Sequence, residues 1–227
     1  MKTILFTGFD DPYAGLARIT GPRMLTYARR HGMDFFPYHE PPPGLNIYWT
    51  GIARGLELLR EGYDRVMYLD VDQLITNPDN APLIGADYGL WISQDWGEDA
   101  TEPWHFSACG WYAHRDCIPM FEAVLAMEPE WRDKPFQEQG PWQAVVRMML
   151  KDQIVLPGQV ENGRVKEVPA GLINTMQRRY FNAVPDEVCP GKVPEPWQPG
   201  DFAAHLTMLP MEERIALASK TIAASMS

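Results

Sequence analysis

The stretch MYLDVDQLITNP, residues 67–78, decides how this chain reads. Val66 to Leu69 make an apolar run with strand character, and it ends on two carboxylates one residue apart, Asp70 and Asp72. Either acid is costly to bury without a positive partner. Alternation along an extended chain sends residues i and i+2 to the same side, so both carboxylates can face one point. Two hard oxygen donors side by side suit Mg²⁺ or Mn²⁺, which keeps other positions for water and substrate phosphates. A bare Asp-x-Asp is equally well a solvated pair at a strand end. The flanking sequence has to separate the two.

Upstream, KTILFTG (2–8) reads as a first strand, ITGPRMLTYARRHG (19–32) as a helix ending at Gly32, and MDFFPYHE (33–40) as a second strand. After the breaker EPPPG (40–44), Ile52, Leu56 and Leu59 recur at helical spacing in YWTGIARGLELLREG (48–62), and DRVMYLD (64–70) follows as a strand. The order β-α-β-α-β predicts an α/β fold with a mainly parallel sheet and helices on its faces. Ligands of such sheets bind beyond the carboxyl ends of the strands, which is where Asp70 and Asp72 stand. Downstream, ADYGLWISQD (86–95) and FSACGWYAHRD (106–116) read as extended and 118–127 as a helix. In QEQGPWQAVVRMMLK (137–151) the residues Trp142, Val145, Val146, Met149 and Leu150 mark one buried helical face. Beyond 153 short extended pieces alternate with prolines. A last helix, PMEERIALASKTIAAS (210–225), opens with Pro210 and two glutamates, as a helix start should.

With 227 residues, no internal repeat and no low-complexity linker, one domain is expected. The net charge of −10 argues against a nucleic-acid backbone or an anionic membrane surface as the main partner. No apolar run reaches the roughly 20 residues that span a bilayer, so no transmembrane segment is expected. The start MKTILFTGFDDPYAG reads as a strand rather than a signal peptide. Three cysteines, Cys109, Cys117 and Cys189, form neither a disulfide framework nor a CxxC metal site, and a cytoplasmic location is the expectation.

Together, GIARGLELLREGYDRVMYLDVDQLITNP (51–78) resembles the nucleotide-sugar-binding core of GT-A glycosyltransferases, in particular the glycogenin-like family 8 and the galactosyl- and mannosyltransferase-like family 34. Other islands resemble those families in the same order. FTGFDDPYAGLARITGPRMLTYARRHG is similar to their first strand and nucleotide-base loop. SACGWYAHRD resembles their Asn-x-Gly strand with its trailing arginine, FQEQGPWQAVV their acid-glutamine motif, and GDFAAHLTMLP their late histidine. The resemblance implies a single Rossmann-like GT-A domain, with residues 1–100 as the nucleotide-sugar half and 101–227 as the acceptor half carrying the late metal ligand. It implies metal-dependent transfer of a hexose or pentose from a nucleotide-diphosphate donor to a hydroxyl of a glycan or other acceptor, with retention of configuration. Mn²⁺ or Mg²⁺ is the implied cofactor, and a UDP-sugar is the implied donor in preference to a GDP-sugar.

Residue by residue, Asp70 and Asp72 resemble the metal pair, with Asp70 also near the ribose, and His205 resembles the third ligand. Thr7, Gly8 and Tyr13 resemble base- and ribose-contacting positions. Arg54, sixteen residues before Asp70, stands where the glycogenin-like pattern has a basic residue near the donor. Asp95 resembles an acid beside the donor sugar or acceptor, and Glu138 and Gln139 resemble the pair near the reacting centre. Three positions depart from the pattern. Ala108 stands in place of the asparagine of Asn-x-Gly. The His-x-x-Gly ending reads HLTML (205–209), without its glycine, and the lysine that often follows is absent.

Each of these residues also has a plain structural role: His205 as a hydrogen-bonded histidine on an extended segment, Tyr13 as loop packing, Arg54 as an exposed helix residue, Glu138 and Gln139 as first-turn residues. Among the eight tryptophans Trp142 is expected in the core, whereas Trp96 and Trp104 flank the acidic loop GEDATEP as possible platforms for a sugar ring. His105 and His114 are read as structural. Two other functions stay open. A nucleotidyltransferase or metal-dependent phosphohydrolase also places Asp-x-Asp at a strand end, although FTGFDDPYAG carries acids where a nucleotidyltransferase has a glycine-rich basic loop. A non-catalytic nucleotide-sugar-binding module fits Ala108 and the missing late glycine.

Overall fold

A computed structural model describes residues 1–39, 41–79, 89–95, 106–135, 137–150, 154–155, 160–161, 164–165, 173–176, 182–188, 190 and 196–226. In chain order these form β1 (Thr3–Phe9), α1 (Ala14–Arg30), β2 (Asp34–His39), α2 (Ile47–Arg60), β3 (Arg65–Leu69), β4 (Gln73–Ile75), β5 (Leu90–Gln94) and β6 (Phe106–His114). Helices α3 (Ile118–Ala126), α4 (Glu128–Trp131) and α5 (Gln139–Leu150) follow. The remainder comprises β7 (Ile154–Val155), β8 (Val160–Glu161), β9 (Arg164–Val165), β10 (Ile173–Met176), β11 (Ala203–His205) and α6 (Met211–Ser225).

Seven strands make the central sheet in the order β2-β1-β3-β6-β5-β10-β7. Four of its six neighbouring pairs are parallel, and β6 runs antiparallel to both β3 and β5. The expected mainly parallel α/β sheet is therefore present. Strands β1, β3 and β6 read as nearly continuous apolar runs because both their faces are covered. Ile4, Phe6, Val66, Tyr68 and Trp111 enter a core with residues of α2, α3 and α5, whereas Leu5, Met67, Leu69, Trp91 and Tyr112 enter one with Met24, Tyr27 and Ala28 of α1. Trp142 lies in the first core as expected, its ring centroid 5.1 Å from that of Phe121 and 6.1 Å from that of Trp111.

Two features depart from the sequence reading. Helix α1 begins at Ala14, not near residue 19. Its first turns are fixed by packing: Leu16 is fully buried against Leu217 and Ala218 of α6 and Ala204 of β11. The helix stops where expected, with Gly32 at φ 65°, a left-handed residue just past its end. The second is a small antiparallel sheet in which β11 pairs with β4, Ala203 opposite Ile75 and His205 opposite Gln73. This pairing brings the late segment onto the Asp-Val-Asp. Cys109 and Cys117 are buried free thiols. Trp96, Trp104, His105 and Cys189 lie outside the described residues. Among the described residues no helix is long and apolar enough to cross a membrane.

Candidate metal centre

Strand β3 is held through its last residue, and the Asp70 N–H then donates to the Cys109 carbonyl of β6 at 2.8 Å. The Gln73 N–H closes a turn onto the Asp70 carbonyl at 2.9 Å, and the chain departs as β4. Both acids thus belong to one tight turn at the carboxyl end of β3, Asp70 opening it and Asp72 inside it. Strand β11 returns alongside, the Leu206 N–H donating to the Asp72 carbonyl at 2.9 Å. This register places His205 Nε2 3.4 Å from Asp72 Oδ1. Asp70, Asp72 and His205 each offer a ligand atom within 4.8 Å of the others.

The two carboxylates have opposite surroundings. Asp70 Oδ1 accepts a 2.5 Å hydrogen bond from the Tyr68 hydroxyl. The ring of Tyr68 fits because position 51 is glycine, where a Cβ would stand 2.9 Å from it. Burial pushes the Asp70 carboxyl above the usual range, and repulsion from Asp72 adds to this. Asp72 is only 8% exposed. Burial pushes its carboxyl up as well, but His205 and the Arg214 guanidinium outweigh that and hold it low. Arg214 Nη1 donates to Asp72 Oδ2 at 2.7 Å. For His205, burial disfavours the cation, yet the Cys109 sulfur and Asp72 carry the imidazole well above its ordinary value.

Behind the ligands runs a polar chain. His205 Nδ1 lies 2.9 Å from Asn182 Oδ1, and Asn182 Nδ2 donates to Asp95 Oδ1 at 3.5 Å. Gln139 Nε2 donates to Asp95 Oδ2 at 2.9 Å, and Gln139 Oε1 accepts from the Ala108 N–H at 3.3 Å. With its amide nitrogen turned to a carboxylate, Asn182 presents oxygen to the histidine. The Nδ1 atom then carries the proton and Nε2 faces the acids, the arrangement a metal-ligating histidine uses.

These residues fit a divalent cation. Asp72 Oδ1 is buried and accepts no hydrogen bond, an unmet acceptor beside the imidazole Nε2. Two carboxylates and one imidazole are a donor set suited to Mn²⁺, and to Mg²⁺ through the carboxylates.

The centre opens onto a cavity of about 470 Å³, within the usual range for small-ligand sites. Of the residues singled out in the sequence, Asp70, Asp72 and His205 line it, as do Gly8, Tyr13, Glu138 and Gln139. Burial pushes the Glu138 carboxyl up to about 7. Gly8 also has a packing reason to be small: a Cβ there would stand 2.1 Å from the Tyr38 ring. Thr7 is buried and does not line the cavity, and Arg54 pairs with Glu57 on its own helix. Asp95 stands one layer back, behind Gln139.

The sequence reading did not single out Arg214, Asn182 or Tyr68. Arg214 carried a legible signal, a cation in a helix's first turn, where the macrodipole disfavours it. Asn182 had none, since it lies in an irregular stretch. Met208 occupies the place of the missing glycine, and its φ of 61° makes it the one non-glycine residue with positive φ among those described.

No protein-family model and no curated protein matches the sequence. Among solved structures, the chain is similar to a glycosyltransferase involved in glycosylation of the major capsid of PBCV-1, with a TM-score of 0.62 at 14% identity over 97% of this chain and 100% of that one. It is similar to the glycosyltransferase GlyE of Streptococcus pneumoniae, with a TM-score of 0.56 at 12% identity over 98% of this chain, although it spans only 63% of GlyE. It is also similar to the galactosyltransferase LgtC, solved with donor and acceptor sugar analogs, with a TM-score of 0.51 at 13% identity over 96% of this chain and 95% of that one. At such identities the likeness concerns the fold. The chain has the GT-A glycosyltransferase fold.

Proposed function

We propose that this protein transfers a sugar from a nucleotide-diphosphate donor to an acceptor hydroxyl, with a divalent cation held by Asp70, Asp72 and His205. The supporting observation is the convergence of three ligand atoms beyond the carboxyl end of β3, one of them a buried carboxylate oxygen with no hydrogen bond, on the wall of a ligand-sized cavity. Mn²⁺ suits the imidazole, with Mg²⁺ as the alternative. When bound, the cation supplies Lewis-acid stabilisation of the charge on the leaving diphosphate.

The chain's own residues do the rest. Residues 1–100 form the donor half, in which Gly8 and Tyr13 on the cavity wall receive base and ribose. Residues 101–227 supply the acceptor side and His205. Thr7 and Arg54, which do not line the cavity, are assigned no contact. Asn182 holds the His205 ring so that Nε2 faces Asp72. Gln139 is gripped at both ends of its amide, by Asp95 and by the Ala108 N–H, and so presents a fixed edge to the reacting sugar. Glu138, at the start of α5, exchanges a proton readily near neutral pH because burial has raised its carboxyl to about 7. Asp95 acts through Gln139 and is a positioning residue. Retention of configuration and a UDP-sugar donor, rather than a GDP-sugar, rest on the resemblance of the Asp-x-Asp segment to families 8 and 34. A glycan or another hydroxyl compound is the acceptor.

Calorimetric titration of UDP and of GDP, each with Mn²⁺ and with EDTA, on wild type and Asp72→Ala, tests the reading. One nucleotide should bind only with metal and only to the wild type, after which its sugar conjugates are screened for transfer and donor hydrolysis. Absence of binding by both nucleotides under every condition contradicts the reading. Binding without transfer or hydrolysis of any conjugate favours a module that only holds the nucleotide sugar.

A further inference from the structure

The described residues lining the cavity include four carboxylates, Asp10, Asp70, Asp72 and Glu138, and one lysine or arginine, Arg214. A nucleoside diphosphate would bring further negative charge into this acidic space, which one divalent cation offsets only in part. We propose that Arg214 is the protein's own anchor for the diphosphate, resting on Asp72 until a divalent cation takes over that carboxylate. The inference rests on the nucleotide-sugar reading above and adds to it a binding residue and an order of binding.

The guanidinium is placed for two positions. Its Nε donates to the Leu209 carbonyl at 2.7 Å, and its central carbon lies 5.4 Å from the centroid of the Tyr13 ring. These contacts fix the stem of the fork. Nη1 reaches Asp72 Oδ2 at 2.7 Å and the Tyr13 hydroxyl at 3.4 Å. Nη2 has no partner among the described residues. One arm of the fork thus holds the metal-binding carboxylate while the other remains a free donor in the residue that faces the cavity.

A divalent cation on Asp72 changes this balance. The carboxylate would then be shared by two cations a few ångströms apart, which repel each other. The Arg214 fork matches phosphate oxygens bidentately, and a small swing about its fixed Nε suffices to exchange partners. Tyr13, on which the guanidinium rests, belongs to the wall assigned to the nucleotide. Metal and diphosphate therefore favour each other twice, once by direct contact and once because the metal frees Arg214. By linkage the diphosphate strengthens metal binding by the same factor. In the metal-free protein the same arginine shares with His205 the neutralisation of the buried Asp72 carboxylate.

Calorimetry on the full chain tests this with wild type, Arg214→Gln and Arg214→Lys, using Mn²⁺ alone, then UDP and GDP at saturating Mn²⁺, with uridine and guanosine as phosphate-free controls. For Arg214→Gln the expected results are three. Mn²⁺ alone binds as tightly as to wild type or more tightly, the preferred diphosphate binds on the order of tenfold more weakly, and the nucleoside is unaffected. Arg214→Lys should recover part of the diphosphate affinity. Diphosphate affinity unchanged in Arg214→Gln overturns the inference. So does a loss of affinity for Mn²⁺ alone in the folded variant, because Arg214 would then be a brace for the metal site. If wild type itself binds neither diphosphate with Mn²⁺, the nucleotide-sugar reading falls, an outcome distinct from wild-type binding that the variants leave unchanged.

Discussion

Asp70 and Asp72 are one residue apart in sequence and belong to two different electrostatic regions. The Asp70 side is aromatic: Tyr68 donates to the carboxylate, Phe6, Tyr38 and Trp111 pack around Tyr68, and no cation contacts the acid among the described residues. The Asp72 side is built by the last part of the chain, which brings His205 on β11 and Arg214 on α6 to one carboxylate. The first region raises its acid's affinity for a proton, and the second suppresses it. A pair of acids flanked by cations on both sides would have little left to offer a metal. A pair without cations would strain the metal-free fold. The asymmetry reconciles the two demands.

The largest effect should come from dismantling the two sides separately. Asp72→Ala leaves the cations of His205 and Arg214 buried without their acid and should lower unfolding stability by about 3–5 kcal/mol in urea titrations. Asp70→Asn keeps an acceptor for the Tyr68 hydroxyl and removes an unfavourable charge, so metal-free stability should hold or rise. Both variants should lose Mn²⁺ binding. Equal destabilisation by the two would break the comparison.

A smaller effect is expected behind the ligands. Asn182→Leu removes the partner of His205 Nδ1 without touching either acid, and should weaken Mn²⁺ affinity by roughly 10- to 100-fold, the usual range for an outer-shell partner. Mn²⁺ titration followed by paramagnetic resonance reads this directly, and wild-type affinity in the variant would remove Asn182 from the site.

Glu138 lines the same cavity, and its charge adds to the rise of the Asp70 carboxyl. Its folded carboxyl is raised from the ordinary glutamate value of 4.5 to about 7. A raised folded value means that its contribution is fully present below about 4.5 and is lost as pH rises through about 7. The melting temperature of the metal-free protein should therefore carry a fall across that window that is shallower in Glu138→Gln. An identical profile would show that Glu138 ionises without penalty.

The smallest effect concerns Met208. A left-handed φ disfavours a side chain by about 1–2 kcal/mol, whereas glycine adds about 0.5–1 kcal/mol of chain entropy to lose on folding. Met208→Gly should thus stabilise the fold by no more than about 1.5 kcal/mol, and Met208→Val, branched at Cβ, should destabilise it. A marked loss on introducing glycine would mean that the thioether packs usefully at the cavity mouth.

How much of this was legible in the sequence follows from where the interactions lie. Strand β3 and the helices α2 and α5 were readable because their apolar patterns record burial on one face or two, and α6 because Pro210 and two glutamates mark a helix start. The Asp-x-Asp was readable because acids at the end of an apolar strand need a reason. The pairing of β4 with β11 was not, since three residues on each side carry no periodicity and the partners are more than 120 residues apart. With that pairing hidden, the place of His205 rested on resemblance alone. Helix α1 starts early for a similar reason: Leu16 is held by α6, a contact that the local sequence does not record. Asn182 and Arg214 act through contacts spanning 23 and 142 residues of chain, which spacing cannot record.

The most direct test of the metal centre is a crystal soaked in Mn²⁺ and examined for anomalous scattering at the manganese edge. One strong peak within coordination distance of Asp70, Asp72 and His205 Nε2, absent from crystals of Asp72→Ala, is the expected result. A peak elsewhere, or none at this turn with Arg214 still seated on Asp72, would contradict the account.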